Sequence, residues 1–148
     1  LAELQDFARA ERAQRERRWE IYTPRELAGC KVALLGTGRI GAEVARRFAA
    51  FGCLVVGVSR SGRPIEPFAA VAPFERAADL LRGSAFVVAA LPLTPESRGL
   101  VRAPLLRAMA GAYLVNVGRG ATIDEADLER ALREGTLRGA ALDVFAVE

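Results

Sequence analysis

The sequence predicts an α/β fold: a doubly wound parallel sheet in three layers, with helices on both faces. Six short apolar segments recur along the 148 residues, mostly separated by helical or loop segments. These segments are apolar throughout rather than alternating, which is typical of parallel strands that are buried on both faces. A glycine-rich turn follows the first of them, and for a sheet of this kind we expect the strand order 3-2-1-4-5-6.

Length and composition are those of a single globular domain with a proper core. Apolar residues make up 51% of the chain and charged residues 26%, which excludes a disordered chain. The longest stretch without a charged residue, Gly83 to Pro95, is shorter than the roughly 20 residues of a membrane span. The charged N-terminal segment shows no secretory signal, and Cys30 and Cys53 are too few for a disulfide scaffold. We therefore expect a reduced, cytoplasmic chain with no membrane partner.

The charge distribution argues against a nucleic-acid partner. The chain has 21 basic and 18 acidic residues, a net charge of +3, and its densest basic run is interleaved with acidic residues. A nucleic-acid-binding domain would instead gather positive charge on one face. Histidine is absent, which excludes a histidine base, metal ligand or triad within this chain. With only two cysteines and no histidine, we expect no metal site.

The first half of the chain alternates between helical and strand patterns. Apolar residues with helical spacing predict a helix over 1–18, and residues 19–27, which contain a proline, predict a connector. A strand over 31–35 precedes the glycines, and a helix over 40–51 ends at Gly52, a typical helix stop. Next we expect a strand over 53–58, a loop over 61–67, a short strand over 71–74 and a helix over 75–81.

The second half continues the same alternation. After a strand over 85–90, Pro104 occupies the first position of a helix over 104–109, where its missing N–H is not needed. A helix over 124–134 begins with Asp124 as its cap. The remaining apolar runs predict strands over 113–117 and 140–145.

The spacing Gly36-x-Gly38-x-x-Gly41 predicts a dinucleotide site, because it follows a strand and opens a helix. We expect Gly36 to make the tight turn, Gly38 to leave room for a pyrophosphate, and Gly41 to let the helix pack closely. The helix N-terminus presents free N–H groups to a phosphate. Arg39 and Ile40 join the candidate cofactor contacts, Arg39 either reaching a phosphate or facing solvent. The alternative is a glycine-rich turn that serves packing only.

The residues after the second strand favour NADP over NAD. An NAD-binding domain places an acidic residue there, about 20 residues after the glycines, to bind the ribose 2′-hydroxyl. This chain has Ser59, Arg60 and Ser61, and no acid occurs between Gly52 and Ile65. A guanidinium pairs with a 2′-phosphate, and flanking hydroxyls donate hydrogen bonds to it. In the alternative, Arg60 stacks on adenine or lies in solvent, and the protein does not discriminate between the two cofactors.

Four further motifs carry a resemblance to a known family. They are Leu91-Pro-Leu-Thr-Pro-Glu-Ser97, Val115-Asn-Val-Gly-Arg-Gly120, Ile123-Asp-Glu-Ala-Asp-Leu128 and Leu142-Asp-Val-Phe-Ala-Val-Glu148. Together they resemble the cofactor-binding domain of the D-isomer-specific 2-hydroxyacid dehydrogenases over nearly the whole chain. Within that family, the Ser-Arg-Ser segment looks like that of the NADP-using glyoxylate and hydroxypyruvate reductases.

The resemblance implies an NAD(P)-dependent oxidoreductase that interconverts a 2-oxo acid and a D-2-hydroxy acid by hydride transfer. Arg119 resembles the catalytic arginine, whose planar guanidinium suits a carboxylate and would polarise a carbonyl. Glu148 resembles the acid that raises the pKa of a catalytic histidine, and Asp143 the residue that holds the nicotinamide carboxamide. Cofactor contacts are also implied at Arg119, and at four residues for which packing alone is the alternative: Leu91, Pro92, Val117 and Gly118.

The chain departs from the family in two respects, because it has neither the substrate domain nor the histidine that the family carries beyond the last motif. We therefore expect residues 1–148 to be an incomplete dinucleotide-binding domain, inactive alone. The family also implies a homodimer, for which the helix over 1–18 and Trp19 are candidate contacts. Two other classes stay open: a non-catalytic dinucleotide-sensing module of the corepressor type, and another dinucleotide or adenosylmethionine enzyme with a similar glycine loop.

Overall fold

The computed structural model describes residues 2–147. Its sheet has six strands: β1 (Lys31–Leu35), β2 (Leu54–Val58), β3 (Ala70–Ala72), β4 (Phe86–Ala89), β5 (Tyr113–Asn116) and β6 (Gly139–Leu142). Their spatial order is β3-β2-β1-β4-β5-β6, and every neighbouring pair is parallel. The predicted class and strand order are confirmed. The carboxyl ends of the strands share one edge, where ligands bind in open α/β sheets.

Five α-helices lie within the described residues: α1 (Phe7–Arg15), α2 (Arg39–Ala50), α3 (Ala77–Leu81), α4 (Ala103–Ala108) and α5 (Glu125–Arg133). Short 3-10 turns over 74–76 and 120–122 precede α3 and α5. Asp124 caps α5 as predicted, because its side chain accepts the N–H of Asp127 at 3.0 Å. None of these helices is long and apolar enough to cross a bilayer.

Two apolar clusters cover the two faces of the sheet. One lies beneath α3, α4 and α5 and contains, among others, Leu81, Leu106, Met109, Leu114 and Leu128. The other lies beneath α2 and the N-terminal segment and contains Leu4, Val32, Leu34, Ala45 and Phe86. Each buried Leu, Val or Phe side chain contributes about 1.5–3 kcal/mol. Between these two clusters, the strands β1, β2 and β4 are almost completely buried.

The strands β5 and β6 differ from the expectation of burial on both faces. Along β5 buried and half-buried residues alternate, and no residue of β6 is fully buried. The reason is uneven coverage, since the cluster under α2 only partly buries Tyr113 and Val115. An apolar sequence thus predicted the strands correctly but not their degree of burial.

The N-terminal helix is shorter than the predicted helix over 1–18. Asp6 and Arg17, on either side of α1, have φ angles of 48° and 54°, a left-handed conformation that interrupts a helix. Before α1, Leu4 is buried in the core, and its carbonyl oxygen accepts the N–H of Arg25 at 3.0 Å. Tertiary contacts of this segment override its helical spacing.

The last strand ends at Leu142 rather than at residue 145. Asp143 still donates its N–H to the carbonyl oxygen of Asn116 at 3.0 Å, and the chain then leaves the sheet. Its backbone crosses the 120–122 turn so closely that a Cβ at Gly120 would lie 1.9 Å from the carbonyl carbon of Phe145. After Leu142, contact of the chain with the backbone of the 120–122 turn therefore takes the place of pairing with β5.

Candidate functional site

The loop between β1 and α2 is built on glycines that contact neighbouring backbone. Gly36 has a φ of 104°, which L side chains rarely adopt, and a Cβ there would lie 2.8 Å from the carbonyl oxygen of Ala90. A Cβ at Gly41 would lie 2.0 Å from the carbonyl oxygen of Gly36, so a side chain would push α2 off the loop. This geometry supports a turn role for Gly36 and a packing role for Gly41.

Space for a phosphate lies at the N-terminus of α2. A Cβ at Gly38, just before the helix, would meet no atom within 4 Å. The N–H of Ala42 donates to the carbonyl oxygen of Gly38 at 2.8 Å, so the N–H groups before Ala42 have no partner within the helix. The side chain of Arg39 is exposed, which agrees both with contact to a phosphate and with a position in solvent. Ile40 is also exposed. Open space, free N–H groups and the positive helix end fit a dinucleotide pyrophosphate.

The loop after β2 holds Ser59, Arg60 and Ser61 in a turn. The Oγ of Ser59 accepts the N–H of Gly62 at 3.1 Å, and the Oγ of Ser61 accepts the N–H of Arg63 at 3.3 Å. In these bonds both hydroxyls are acceptors, which leaves their own hydrogens as donors. The side chain of Arg60 is exposed. At the carboxyl end of β2 the loop thus presents a guanidinium and two hydroxyls, the groups that bind a phosphate.

Glu96, in the loop after β4, lies within electrostatic range of Arg60. The pKa of Glu96 is lowered, first by a hydrogen bond from Thr94, then by its own backbone, and further by the positive charge of Arg60. Since β1 separates β2 from β4, the loops that carry these two residues lie on either side of the glycine loop. The two loops therefore flank the candidate cofactor site.

The loops after β4 and β5 approach each other through a glycine. A Cβ at Gly118 would lie 2.7 Å from the carbonyl oxygen and 2.8 Å from the nitrogen of Leu91, so the two backbones are in contact. Leu91 is buried, and the half-buried Val117 donates its N–H to the carbonyl oxygen of Ala89 at 3.0 Å. These are packing contacts, to which a cofactor contact at this edge would be additional, and Pro92 is the one of the four whose side chain is exposed.

Arg119 lies at the carboxyl end of β5, on a backbone held by buried side chains. Its carbonyl oxygen accepts hydrogen bonds from Nδ2 of Asn116 at 3.3 Å and from Oγ1 of Thr122 at 2.7 Å. The Oδ1 of Asn116 also accepts the N–H of Gly118 at 3.0 Å. The exposed guanidinium donates from Nη1 to the carbonyl oxygen of Gly118 at 2.8 Å. Its other N–H donors remain for a carboxylate ligand.

A cleft of about 290 Å³ opens beside Arg119. Its walls are the turn after β5, the segment after β6 and one residue of the loop after β4: Arg119, Gly120, Ala121, Val144, Phe145, Ala146 and Leu93. Asp143 is exposed just before the second wall, at the carboxyl end of β6. Glu148, the second predicted catalytic residue, lies outside the described residues. The structure thus brings Arg119 and Asp143 to the same edge of the sheet.

Two residues that shape this site were not among the predicted site residues. Asn116 is 1% exposed and Thr122 fully buried, and both hold the backbone of Arg119. A signal existed for Asn116, because a polar side chain in an apolar strand must find hydrogen-bond partners when buried. No such signal existed for Thr122, because the turn that buries it is not visible in residue spacing.

The sheet, the glycine loop and the groups at the carboxyl edge define a Rossmann-type dinucleotide-binding domain. Comparison with known sequences identifies it further. The chain belongs to the D-isomer specific 2-hydroxyacid dehydrogenase family, whose NAD binding domain matches residues 1–148. The resemblance carried by the sequence motifs is confirmed.

Relatives of this family are similar along the whole chain. Glyoxylate/hydroxypyruvate reductase A of Arabidopsis thaliana is 38% identical, covering all of this chain and 48% of that protein. The NADPH-dependent glyoxylate/hydroxypyruvate reductase of Sinorhizobium meliloti, solved with NADP and sulfate, has a TM-score of 0.90 and 33% identity, covering 99% of this chain and 48% of that one. A family member from Xanthobacter autotrophicus, solved with NADPH and MES, has a TM-score of 0.85 and 43% identity, covering 99% and 61%. The chain spans about half the length of the curated relatives it matches.

Proposed function

We propose that this chain is the cofactor-binding domain of an NADP-preferring oxidoreductase that reduces a small 2-oxo acid, such as glyoxylate or hydroxypyruvate, to the D-2-hydroxy acid. The observation that carries the proposal is the loop after β2, where Arg60 is exposed between two serine hydroxyls. No carboxylate occurs in the sequence there to repel a 2′-phosphate. The reductases from Arabidopsis and Sinorhizobium support the substrate class, and the NADP and NADPH complexes of relatives support the cofactor.

The glycine loop and the strand ends hold the cofactor in this proposal. The N-terminus of α2 binds the pyrophosphate, and the Ser-Arg-Ser turn binds the 2′-phosphate. Asp143, at the carboxyl end of β6, accepts a hydrogen bond from the nicotinamide carboxamide. The contacts of the dinucleotide are Gly36, Gly38, Arg39, Ile40, Gly41, Ser59, Arg60, Ser61, Leu91, Pro92, Val117 and Gly118.

The cleft beside Arg119 receives the 2-oxo acid. The nicotinamide supplies the hydride when it is bound. Arg119 binds the substrate carboxylate through its planar N–H donors, and its charge stabilises negative charge that develops on the carbonyl oxygen. Glu148 hydrogen-bonds the histidine that donates the proton. Because this sequence has no histidine, we place that residue and the substrate domain in the remainder of a longer enzyme.

Cofactor preference is tested by titrating the protein with NADPH and NADH side by side at fixed salt. We expect tighter binding of NADPH. The Arg60→Ala variant should lose about tenfold or more in affinity for NADPH, the loss of one charge-assisted pair, with NADH binding unchanged. Arg82→Ala is the control, because Arg82 is exposed just before β4, at the opposite edge of the sheet. Equal binding of the two cofactors, or a preference for NADH, would contradict the proposal.

We also propose a homodimer formed through the surface around α1. Trp19 and Ile21 are 91% and 87% exposed, and Phe7, on α1, is 59% exposed. Large apolar side chains exposed to water are typical of an interface when they form one patch. Sedimentation should show a dimer that becomes monomeric in the double variant Trp19→Glu, Ile21→Glu and persists in Leu132→Glu. A dimeric double variant would contradict this contact.

We also propose that the protein is located in the cytoplasm. Both cysteines are free thiols, which supports a cytoplasmic location because disulfides are rare there. Fractionation of cells that express the complete protein tests this point, and recovery outside the cytoplasm would contradict it.

A further inference from the structure

The segment after β6 is held against the turn that follows Arg119. A Cβ at Gly120 would lie 1.9 Å from both the carbonyl carbon and the carbonyl oxygen of Phe145, and 2.4 Å from the nitrogen of Ala146. Only a glycine permits this approach, in which the two backbones touch. The position of this segment is therefore coupled directly to the residue next to Arg119.

The side chain of Glu125 also binds this segment. The Oε1 of Glu125 accepts the backbone N–H of Ala146 at 2.7 Å, a short hydrogen bond to a carboxylate. Glu125 is the first residue of α5, and Ala146 lies 21 residues further along the chain. Within residues 2–147 this is a long-range tether from a helix to an otherwise irregular segment.

The helix that carries Glu125 is anchored in the core. The start of α5 is capped by the side chain of Asp124, and the helix packs into the core through Leu128 and Ala131. A carboxylate in the first turn is also favoured by the helix dipole. The backbone of Glu125 is therefore held in place by the cap and the core, and its exposed side chain reaches the N–H of Ala146.

We propose that Glu125 is a positioning residue for the reaction: it sets the distance between Arg119 and the opposite wall of the cleft. Val144, Phe145 and Ala146 form that wall, and the tether holds it over the turn that begins after Arg119. The inference rests on the proposed function for its catalytic consequence. The hydrogen bond and its effect on the wall do not depend on that function.

The tether itself is tested by hydrogen exchange at the Ala146 amide, measured by NMR. In Glu125→Ala the exchange should become about tenfold faster, because the acceptor of the Ala146 N–H is lost. In Glu125→Gln the amide oxygen still accepts the bond, so protection should be retained. Glu129→Ala is the control, since Glu129 lies on the same helix and pairs with Arg133 instead. An exchange rate in Glu125→Ala equal to that of the wild type would overturn the proposal.

The consequence for the reaction is tested in the complete enzyme with glyoxylate or hydroxypyruvate and NADPH. In Glu125→Ala we expect kcat to fall between about 10- and 100-fold through misplacement of the wall, with the KM for NADPH unchanged. Glu125→Gln should restore kcat, which a role of the charge or of general stability would not predict. A Gln variant as impaired as the Ala variant, or an Ala variant as active as the wild type, would overturn the proposal. A wild-type enzyme inactive on both acids would instead overturn the proposed function, and hydrogen exchange would still decide the tether.

Discussion

The buried amide of Asn116 holds the backbone of Arg119: Nδ2 donates to the Arg119 carbonyl oxygen at 3.3 Å, while Oδ1 accepts the N–H of Gly118 at 3.0 Å. One side chain at the end of β5 thus satisfies a donor and an acceptor of the turn that carries Arg119. Thr122 adds a second hydrogen bond to the same carbonyl oxygen at 2.7 Å. The guanidinium is exposed, and the backbone from which it extends is held by these hydrogen bonds.

Removing the Asn116 side chain should lower the stability of the fold and the activity of the site that it supports. Asn116→Ala leaves the N–H of Gly118 unsatisfied and creates a small cavity, so we expect the free energy of unfolding to fall by about 2 kcal/mol. Thr122→Val keeps the volume and removes one bond, for a loss of about 1 kcal/mol. Urea unfolding measures both values. A loss in Asn116→Ala no larger than in the exposed control Glu134→Ala would show that these bonds do not hold the turn.

Gly38 and Gly41 should respond differently to the same substitution. Gly38→Ala meets open space, so unfolding free energy should change by less than about 1 kcal/mol while cofactor affinity falls at least about tenfold. Gly41→Ala drives a Cβ against the carbonyl oxygen of Gly36 and should destabilise the fold by about 2 kcal/mol. Urea unfolding and NADPH titration of both variants measure this contrast. If Gly38→Ala bound NADPH normally, the phosphate would not lie over this loop.

The cap of α5 should contribute measurably to stability. In Asp124→Ala the N–H of Asp127 loses its side-chain acceptor, and we expect a loss of about 1 kcal/mol in unfolding free energy. Glu129→Ala, which removes an exposed ion pair on the same helix, should change stability by less than about 0.5 kcal/mol. Thermal and urea unfolding compare the two. Equal losses would mean that the cap has no special role.

Cys53 should react slowly with alkylating reagents at neutral pH. Burial, and secondarily the neighbouring Cys30, raise the pKa of the Cys53 thiol, and only the thiolate is nucleophilic. In Cys30→Ser the rate of alkylation by iodoacetamide should stay below that of a free cysteine, because burial is the larger cause. The rate should increase as pH rises towards the raised pKa, and urea should abolish the difference. Rapid alkylation of the folded variant at pH 7 would contradict the burial argument.

The strands and the position of the glycine loop were predictable because local residue patterns indicate them. Apolar runs such as 31–35 and 54–58, bounded by turn residues, favour buried parallel strands, and the strand order follows from the fold class that they indicate. Gly36, Gly38 and Gly41 occupy positions where a side chain is excluded by backbone geometry or by the ligand space. The extent of α1 was not predictable. Helical spacing continues through residue 18, but Leu4 docks into the core and the chain takes left-handed conformations at Asp6 and Arg17.

By itself, the sequence determined the class of fold, the dinucleotide loop and the chemical groups available at the site, since spacing and residue type are local properties. Only the tertiary structure decided how those groups are held. Gly120 meets Phe145, and Glu125 meets Ala146, across more than 20 residues of chain. Such contacts arise from how α5 and β6 pack beside β5. The spacing of residues along a sequence does not predict the distances between packed elements.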